Sequence, residues 1–237
     1  MRKRRIGILG GISHESTIAF YDRLLRAYYA MASDYYYPEV IIYSLDFQRF
    51  TDLEDRGDMA GYVAYIGEGI AALAAAGAEF AVMAANSPHA VYAQVSAVAS
   101  IPVLSMVEVT ALAAADAGAQ RLLLLGIKFT MQGSFYAEVC ARYGIEIITP
   151  EKADQDEVNR LVFEELSRGC FTEANRARLL AVIDRCRART PVDGVVLGCT
   201  ELPLLLRQEH IDLPLYDTLD LHAQATLDYA LSAPIFE

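Results

Sequence analysis

Cysteine is scarce in this chain of 237 residues: there are four, Cys140, Cys170, Cys186 and Cys199, and no two share the C-x-x-C spacing of a metal or redox pair. That usage excludes a disulfide framework and points to reduced thiols in a cytoplasmic protein, with Cys140, Cys170 and Cys186 read as small hydrophobes on helices. Positive charge is short as well. A formal net charge of -11 excludes non-specific nucleic-acid binding, which needs a basic surface, and obliges any anionic substrate to find a local cationic pocket. No apolar run approaches the roughly 18 residues of a membrane span. The longest, Ile70 to Met83, is interrupted by Gly77, Ala78 and Glu79. The basic start Met1-Arg-Lys-Arg-Arg5 leads into Ile6-Gly-Ile-Leu-Gly-Gly11, too short and glycine-rich for a targeting helix. Gly7-Ile-Leu-Gly-Gly11 lacks the G-x-G-x-x-G spacing of a dinucleotide site, and the histidines and scattered carboxylates form no metal motif. Neither a metal nor a cofactor is expected.

What is present is alternation. Short apolar runs bounded by glycine or polar turns are read as strands at 5–9, 40–44, 80–84, 103–105, 121–126, 146–149, 194–197 and 215–216. Between them, amphipathic stretches are read as helices at 16–31, 59–76, 88–99, 106–117, 133–143, 154–168, 172–188, 201–207 and 218–231, with Ser16 or Thr17 opening the first and Gly118 and Gly144 stopping two others. This order predicts an α/β protein with parallel sheets covered by helices.

The pattern also repeats. Ile6-Gly-Ile-Leu-Gly-Gly11 is matched by Leu122-Leu-Leu-Leu-Gly126, and Ala81-Val-Met-Ala-Ala-Asn-Ser-Pro-His89 by Gly194-Val-Val-Leu-Gly-Cys-Thr-Glu-Leu202. Ala85 follows Gly10 by 75 residues and Cys199 follows Gly126 by 73. Two related units are therefore expected, 1–107 joined by 218–237, and 108–217. If the halves face one another, Ala85 and Cys199 lie on opposite walls of one cleft, the placement that two acid/base groups need to invert a carbon centre.

Ligands of open α/β sheets bind beyond the carboxyl ends of the strands, where both turns fall. A thiol at Cys199, just ahead of a helix N-terminus, is expected to have a lowered pKa and to exchange a proton near neutral pH. The neighbouring backbone N–H groups, with Asn86, Ser87 and Thr200, are suited to a carboxylate.

Several of these segments together carry a resemblance. Ile8-Leu-Gly-Gly-Ile-Ser-His-Glu-Ser-Thr17, Ala85-Asn-Ser-Pro-His89, Gly126-Ile-Lys-Phe-Thr-Met131 with Phe135-Tyr136, Phe163-Glu-Glu-Leu-Ser-Arg-Gly169, Leu197-Gly-Cys-Thr-Glu-Leu-Pro203, and Asp217-Thr218 with His222 resemble, in collinear order, the cofactor-independent aspartate/glutamate racemases. The resemblance implies two pseudo-symmetric flavodoxin-like units with a cleft between them, a homodimer, and a 1,1-proton transfer at the α-carbon of a small amino acid or dicarboxylate by two cysteines, without pyridoxal phosphate or metal. The second cysteine of that family falls on Cys199. The first falls on Ala85, which has no ionisable proton.

Alanine at that position admits three readings: a substitution introduced to trap a substrate, a divergence toward one-sided chemistry such as decarboxylation of a malonate-like acid, or a noncatalytic carboxylate binder. His14 and Ile12 also depart from the family's first loop, and Gly126-Ile-Lys-Phe-Thr130 keeps Thr130 as a carboxylate ligand while losing an earlier threonine. Arg49 is the leading candidate for a second carboxylate, ahead of Arg56, Lys128 and Arg168, because guanidinium grips carboxylate bidentately. His89 and His222 are expected behind the turns, and His210 on the surface.

Overall fold

The computed structural model describes residues 2–232. Its strands are β1 (Ile6–Gly10), β2 (Val40–Ser44), β3 (Phe80–Met83), β4 (Val103–Leu104), β5 (Arg121–Gly126), β6 (Glu146–Ile148), β7 (Gly194–Gly198) and β8 (Leu215–Asp217). They form two four-stranded sheets, ordered β2-β1-β3-β4 and β6-β5-β7-β8, and every pairing is parallel. The reason lies in the sequence: β1, β3 and β7 are buried along their whole length, as unbroken apolar runs in helix-covered parallel sheets must be. Each expected strand is present, and β2 and β5 match their expected spans end to end.

The helices are α1 (His14–Met31), α2 (Phe47–Asp55), α3 (Met59–Ala75), α4 (Tyr92–Val98), α5 (Met106–Asp116), α6 (Lys128–Gln132), α7 (Phe135–Ala141), α8 (Lys152–Arg160), α9 (Glu173–Arg189), α10 (Leu202–Leu205) and α11 (Thr218–Leu231). No helix among the described residues is long and apolar enough to cross a membrane.

Several helices differ from expectation for local reasons. Ser13, not Ser16 or Thr17, stands at the N-cap of α1. The Ser16 and Thr17 hydroxyls instead donate to the Ser13 carbonyl, each at 2.9 Å. α2 was unexpected. Asp46 opens it by accepting from the backbone N–H groups of Gln48 and Arg49, and Phe50 is its buried residue. The stretch expected as one helix over 154–168 ends α8 at Arg160, passes through a π-helical turn at Leu161–Glu165 and a 3-10 turn at Leu166–Arg168, and stops at Gly169, φ 79°. The stretch expected over 88–99 starts as a 3-10 turn, Ser87–Val91.

The chain divides into two compact units, Met1–Met106 with Leu219–Glu237, and Val107–Thr218. In the first, one face of the sheet packs against α2, α3 and α4 through Leu9, Phe50, Ile66, Leu73, Met83 and Val95. The other face meets α1 and α11 through Ile8, Phe20, Leu24, Val82, Ala223 and Leu227. α11 belongs here because Leu219, Ala223, Leu227 and Ala230 fall on one helical stripe, buried against that face. In the second unit, Leu123, Leu125, Val195 and Leu197 pack against Val158, Leu179, Val182, Ile183 and Leu202.

In both sheets the chain leaves the first strand to one side and returns on the other, so the switch point lies between β1 and β3 in one unit and between β5 and β7 in the other. Backbone runs tightly there. A Cβ at Gly11, φ +83°, would lie 2.4 Å from the carbonyl oxygen and 2.5 Å from the nitrogen of Leu45. Gly57 shares the positive φ, 64°, but has nothing within 4 Å. Gly11→Ala is accordingly expected to destabilise folding by about 3 kcal/mol or more, and Gly57→Ala by only about 1 kcal/mol, in urea denaturation; equal losses would contradict the close approach at Gly11.

Candidate active site

Strand register places the two turns in equivalent positions. Gly126 on β5 pairs with Gly198 on β7, and Cys199 is the next residue. On the other sheet Leu9 pairs with Met83, and the Ala84 N–H continues the ladder to the Leu9 carbonyl at 3.0 Å. Gly10 is thus matched with Ala84, and the next residue is Ala85. Each stands one step past the last rung beside its own switch point.

The Cys199 turn is held by a carboxylate. The thiol donates to Glu201 Oε2 at 2.9 Å, and the Thr200 hydroxyl donates to the same oxygen at 3.0 Å. Burial pushes the Cys199 thiol well above its ordinary range, and the negative Glu201 beside it adds to the rise. The expected lowering is therefore overturned. The physical reason is burial of the thiol first and the Glu201 carboxylate at hydrogen-bonding distance second, while α10, only four residues long, offers little dipole to oppose them.

Thr130, on α6, packs beside this turn. A Cβ at Gly126 would lie 3.2 Å from its Cβ, and one at Gly198 would lie 3.3 Å from its Cγ2. Its residue is 1% exposed, yet its hydroxyl oxygen has no partner among the described residues. The related threonine of the first unit, Thr17, also packs on the terminal glycine of its strand, but its hydroxyl is used: it accepts from Gly11 N at 2.8 Å. An unmatched buried hydroxyl costs about 1–3 kcal/mol and is suited to a ligand oxygen.

The Ala85 turn has different supports. Ala85 is buried, and its carbonyl accepts from His89 Nδ1 at 3.0 Å. His89 Nε2 in turn accepts from the Met106 N–H at 2.9 Å. This fixes a neutral ring with its proton on Nδ1, since a proton on Nε2 would oppose the Met106 N–H. Burial depresses His89 to about 4, in keeping with that state. Asn86 is buried, and its carbonyl accepts from His89 N. Ser87 lies near Glu54 on α2 and Tyr62 on α3, and the Tyr62 hydroxyl donates to Glu54 Oε2 at 3.1 Å.

The other expected residues are more scattered. Arg49 lies on α2 with its guanidinium 3.9 Å above the Tyr65 ring and 3.6 Å from Glu68, about half exposed. Arg56 pairs with Asp52, Lys128 with Asp156, and Arg168 is exposed. His14 is exposed beside Glu15. His222 is fully buried against the rings of Phe20 and His89, and neither of its nitrogens has a partner among the described residues. His210, expected as a plain surface residue, accepts from the Arg207 N–H at 3.0 Å and is only partly exposed. Glu201, Glu54 and Tyr62 were not singled out in the sequence. Glu201 was findable from its spacing of two from the cysteine, whereas Glu54 meets Tyr62 only once α2 and α3 pack together.

A sequence profile of the Asp/Glu/Hydantoin racemase family matches residues 9–226. The chain belongs to that family. Among its racemase relatives is the broad specificity amino-acid racemase RacX of Bacillus subtilis, 26% identical over 233 residues, covering 96% of this chain and 98% of that one. An aspartate racemase homologue from Pyrococcus horikoshii has a solved structure that superposes with a TM-score of 0.86 at 32% identity, covering 97% of this chain and all of that one. The aspartate racemase of Picrophilus torridus, at 23% identity and a TM-score of 0.77 over 96% of this chain and 94% of its own, shares the racemase fold.

Two measurements check this geometry. Iodoacetamide modification of Cys199, read by mass spectrometry, is expected to titrate above the ~8.5 of a free thiol, and Glu201→Gln to move that titration to lower pH. An unchanged profile would remove Glu201 as a cause. For His89 the folded pKa lies below the unfolded one, so the unfolded chain takes up the proton first as pH falls. Its contribution is complete above 6.5 and fades toward about 4, a span worth about 3 kcal/mol. The stability gap between the parent and His89→Gln should therefore narrow over that window in urea denaturation, and a constant gap would argue against a buried neutral ring.

Proposed function

We propose that this chain catalyses cofactor-independent proton exchange at the α-carbon of aspartate, glutamate or a similar amino acid, with Cys199 as its acid/base group. The single observation that carries the reading is the Cys199 thiol hydrogen-bonded to Glu201 at the carboxyl end of a central strand. A thiol with a raised pKa is a poor base by itself. Glu201 supplies what it lacks, an acceptor already in contact with its proton, so that thiolate forms as the α-proton is taken.

Two-base inversion needs a second group on the other face of the carbon. Ala85 occupies the equivalent place in the first unit and contributes no proton, so the chain carries an altered form of two-cysteine chemistry. The α-carboxylate is assigned to Asn86, Ser87, Thr200 and Thr130, the last through its unmatched hydroxyl. Arg49 is assigned to a side-chain carboxylate, a role in which it would exchange Glu68 for substrate. A homodimer working in the cytoplasm is proposed with this function.

One observation favours a second reading. A thiol held protonated is suited to deliver a proton to a carbanion made by loss of carbon dioxide, which needs no base on the Ala85 side. The two readings separate in deuterium oxide. The first predicts solvent deuterium at the α-position of aspartate or glutamate, lost by at least ~100-fold in Cys199→Ser, and full racemisation by Ala85→Cys. Carbon dioxide release from a malonate-like acid without such exchange supports the second. Carboxylate binding by calorimetry, with neither reaction and no effect of Cys199→Ser, would leave only a binder.

A further inference from the structure

Of the fifteen large apolar side chains exposed among the described residues, nine fall between Ile18 and Phe47, so the uncovered apolar surface is concentrated in one segment of the first unit. Its tyrosines form an ordered cluster. The Tyr29 ring stands edge-on to Tyr35 and to Tyr37, each at 6.1 Å, and Tyr37 stands edge-on to the buried Tyr28. Tyr35 and Tyr36 are nonetheless 85% and 78% exposed. From this cluster the chain runs directly into β2, the end strand of its sheet, paired only with β1. The Ile6 N–H donates to the Glu39 carbonyl and the Leu45 N–H to the Gly10 carbonyl, both at the β1 side. Backbone groups alternate sides along a strand, so those of Val40, Ile42 and Ser44 face outward. Val40-Ile-Ile-Tyr-Ser44 has no charge, proline or bulge, the usual guards of an open edge.

We propose that β2 is the seam between two copies of this chain, each β2 pairing antiparallel with the other about a twofold axis at Ile42. This rests on the homodimer in the function proposed above and gives it a place. The three outward residues are symmetric about Ile42, so a copy turned by the twofold meets them one for one. Ile42 opposes Ile42, and Val40 opposes Ser44 on each side of the axis. Each opposed pair exchanges two N–H···O bonds, and the two sheets join into one of eight strands. Such a contact is isologous and closes on itself, leaving no edge for a third copy. Ile42 points to the same sheet face as Val40, which packs in the core that holds Tyr28, so the seam lies beside the tyrosine cluster. Tyr29, Tyr35, Tyr36, Tyr37, Ile42 and Tyr43 leave on the order of 600 Å² uncovered, most of the roughly 800 Å² per copy that a stable dimer uses. Charge favours the same place. Copies with a net charge of -11 repel one another, and β2 is a stretch where they meet without opposing charges of one sign. Glu39, just before it, lies 3.8 Å from Arg5. A strand from another protein would use the same outward groups, but it would have no need of their symmetry.

The experiment compares the full-length parent, Ile42→Lys, Ile42→Glu, an equimolar mixture of those two, and Leu112→Lys by sedimentation equilibrium. Leu112 on α5 is the control, since it and Ile42 are each 44% exposed. Deuterium exchange at the α-carbon of aspartate is read on the same samples. The parent is expected to be a dimer. Each Ile42 variant should weaken it by at least ~100-fold, because like charges then meet at the axis, and Leu112→Lys should leave it unchanged. The mixture should recover the dimer to within about tenfold of the parent, since lysine then faces glutamate. A strand that had merely lost its fold would not be rescued by a second altered chain. A dimer undisturbed by either Ile42 variant overturns the seam and leaves the homodimer standing. Monomeric variants that do not recover on mixing overturn the pairing of Ile42 with itself. A monomeric parent overturns seam and homodimer together and leaves the edge to a strand of another protein, while α-exchange by that monomer would keep the catalytic reading. A dimeric parent with the expected variants but no exchange supports the seam and counts against the catalytic reading alone.

Discussion

Parallel pairing of the first and third strand in each unit is the constraint from which the rest follows. It places the carboxyl ends of β1 with β3, and of β5 with β7, side by side at a switch point where no crossover covers them. Small residues are required at those ends. A side chain on Gly126 would press 2.8 Å from the Gly198 carbonyl, and one on Gly10 would strike Thr17 at 2.4 Å. The same tightness that keeps the strands in register therefore brings a threonine against each strand end and leaves the following residue, Ala85 or Cys199, at the rim of its sheet.

Electrostatics then differentiate two turns that topology makes alike. At Cys199 a carboxylate two residues away binds the thiol proton directly and keeps it on sulfur. Near Ala85 the carboxyl, Glu54, comes from a separate helix and accepts from the Tyr62 hydroxyl. Both turns have a carboxyl close by, one hydrogen-bonded to sulfur and the other to a tyrosine hydroxyl. The similarity is chemical rather than sequential, since Glu201 and Glu54 occupy unrelated places in the chain.

Most of the architecture was legible because fully buried parallel strands leave unbroken apolar runs such as Ile6-Gly-Ile-Leu-Gly10 and Arg121-Leu-Leu-Leu-Leu-Gly126. α2 was not, because its apolar stripe is only Phe47, Phe50 and Leu53 within nine residues, too short a run for the period to stand out. Its readable signal was Asp46 as a cap. Cys199 and the Ala85 turn stood out through recurrence of short motifs, and Thr130 through the family resemblance. The state of the thiol did not: residue order gives the spacing of Cys199 and Glu201, but the sign of the pKa shift depends first on how deeply the fold buries the thiol and then on the carboxylate folding back onto sulfur. Glu54 and Tyr62 are farther from view still, joined only once α2 and α3 pack together.

His89 illustrates how a residue rich in possible chemistry can be wholly committed to architecture. One ring nitrogen is spent on the Ala85 carbonyl and the other on the Met106 N–H, the last residue before the chain enters Val107–Thr218. An imidazole engaged at both ends has no lone pair for a metal and no mobile proton for a substrate. It acts as a rigid brace whose length, the width of a five-membered ring, sets the spacing between the turn and the point where the chain departs.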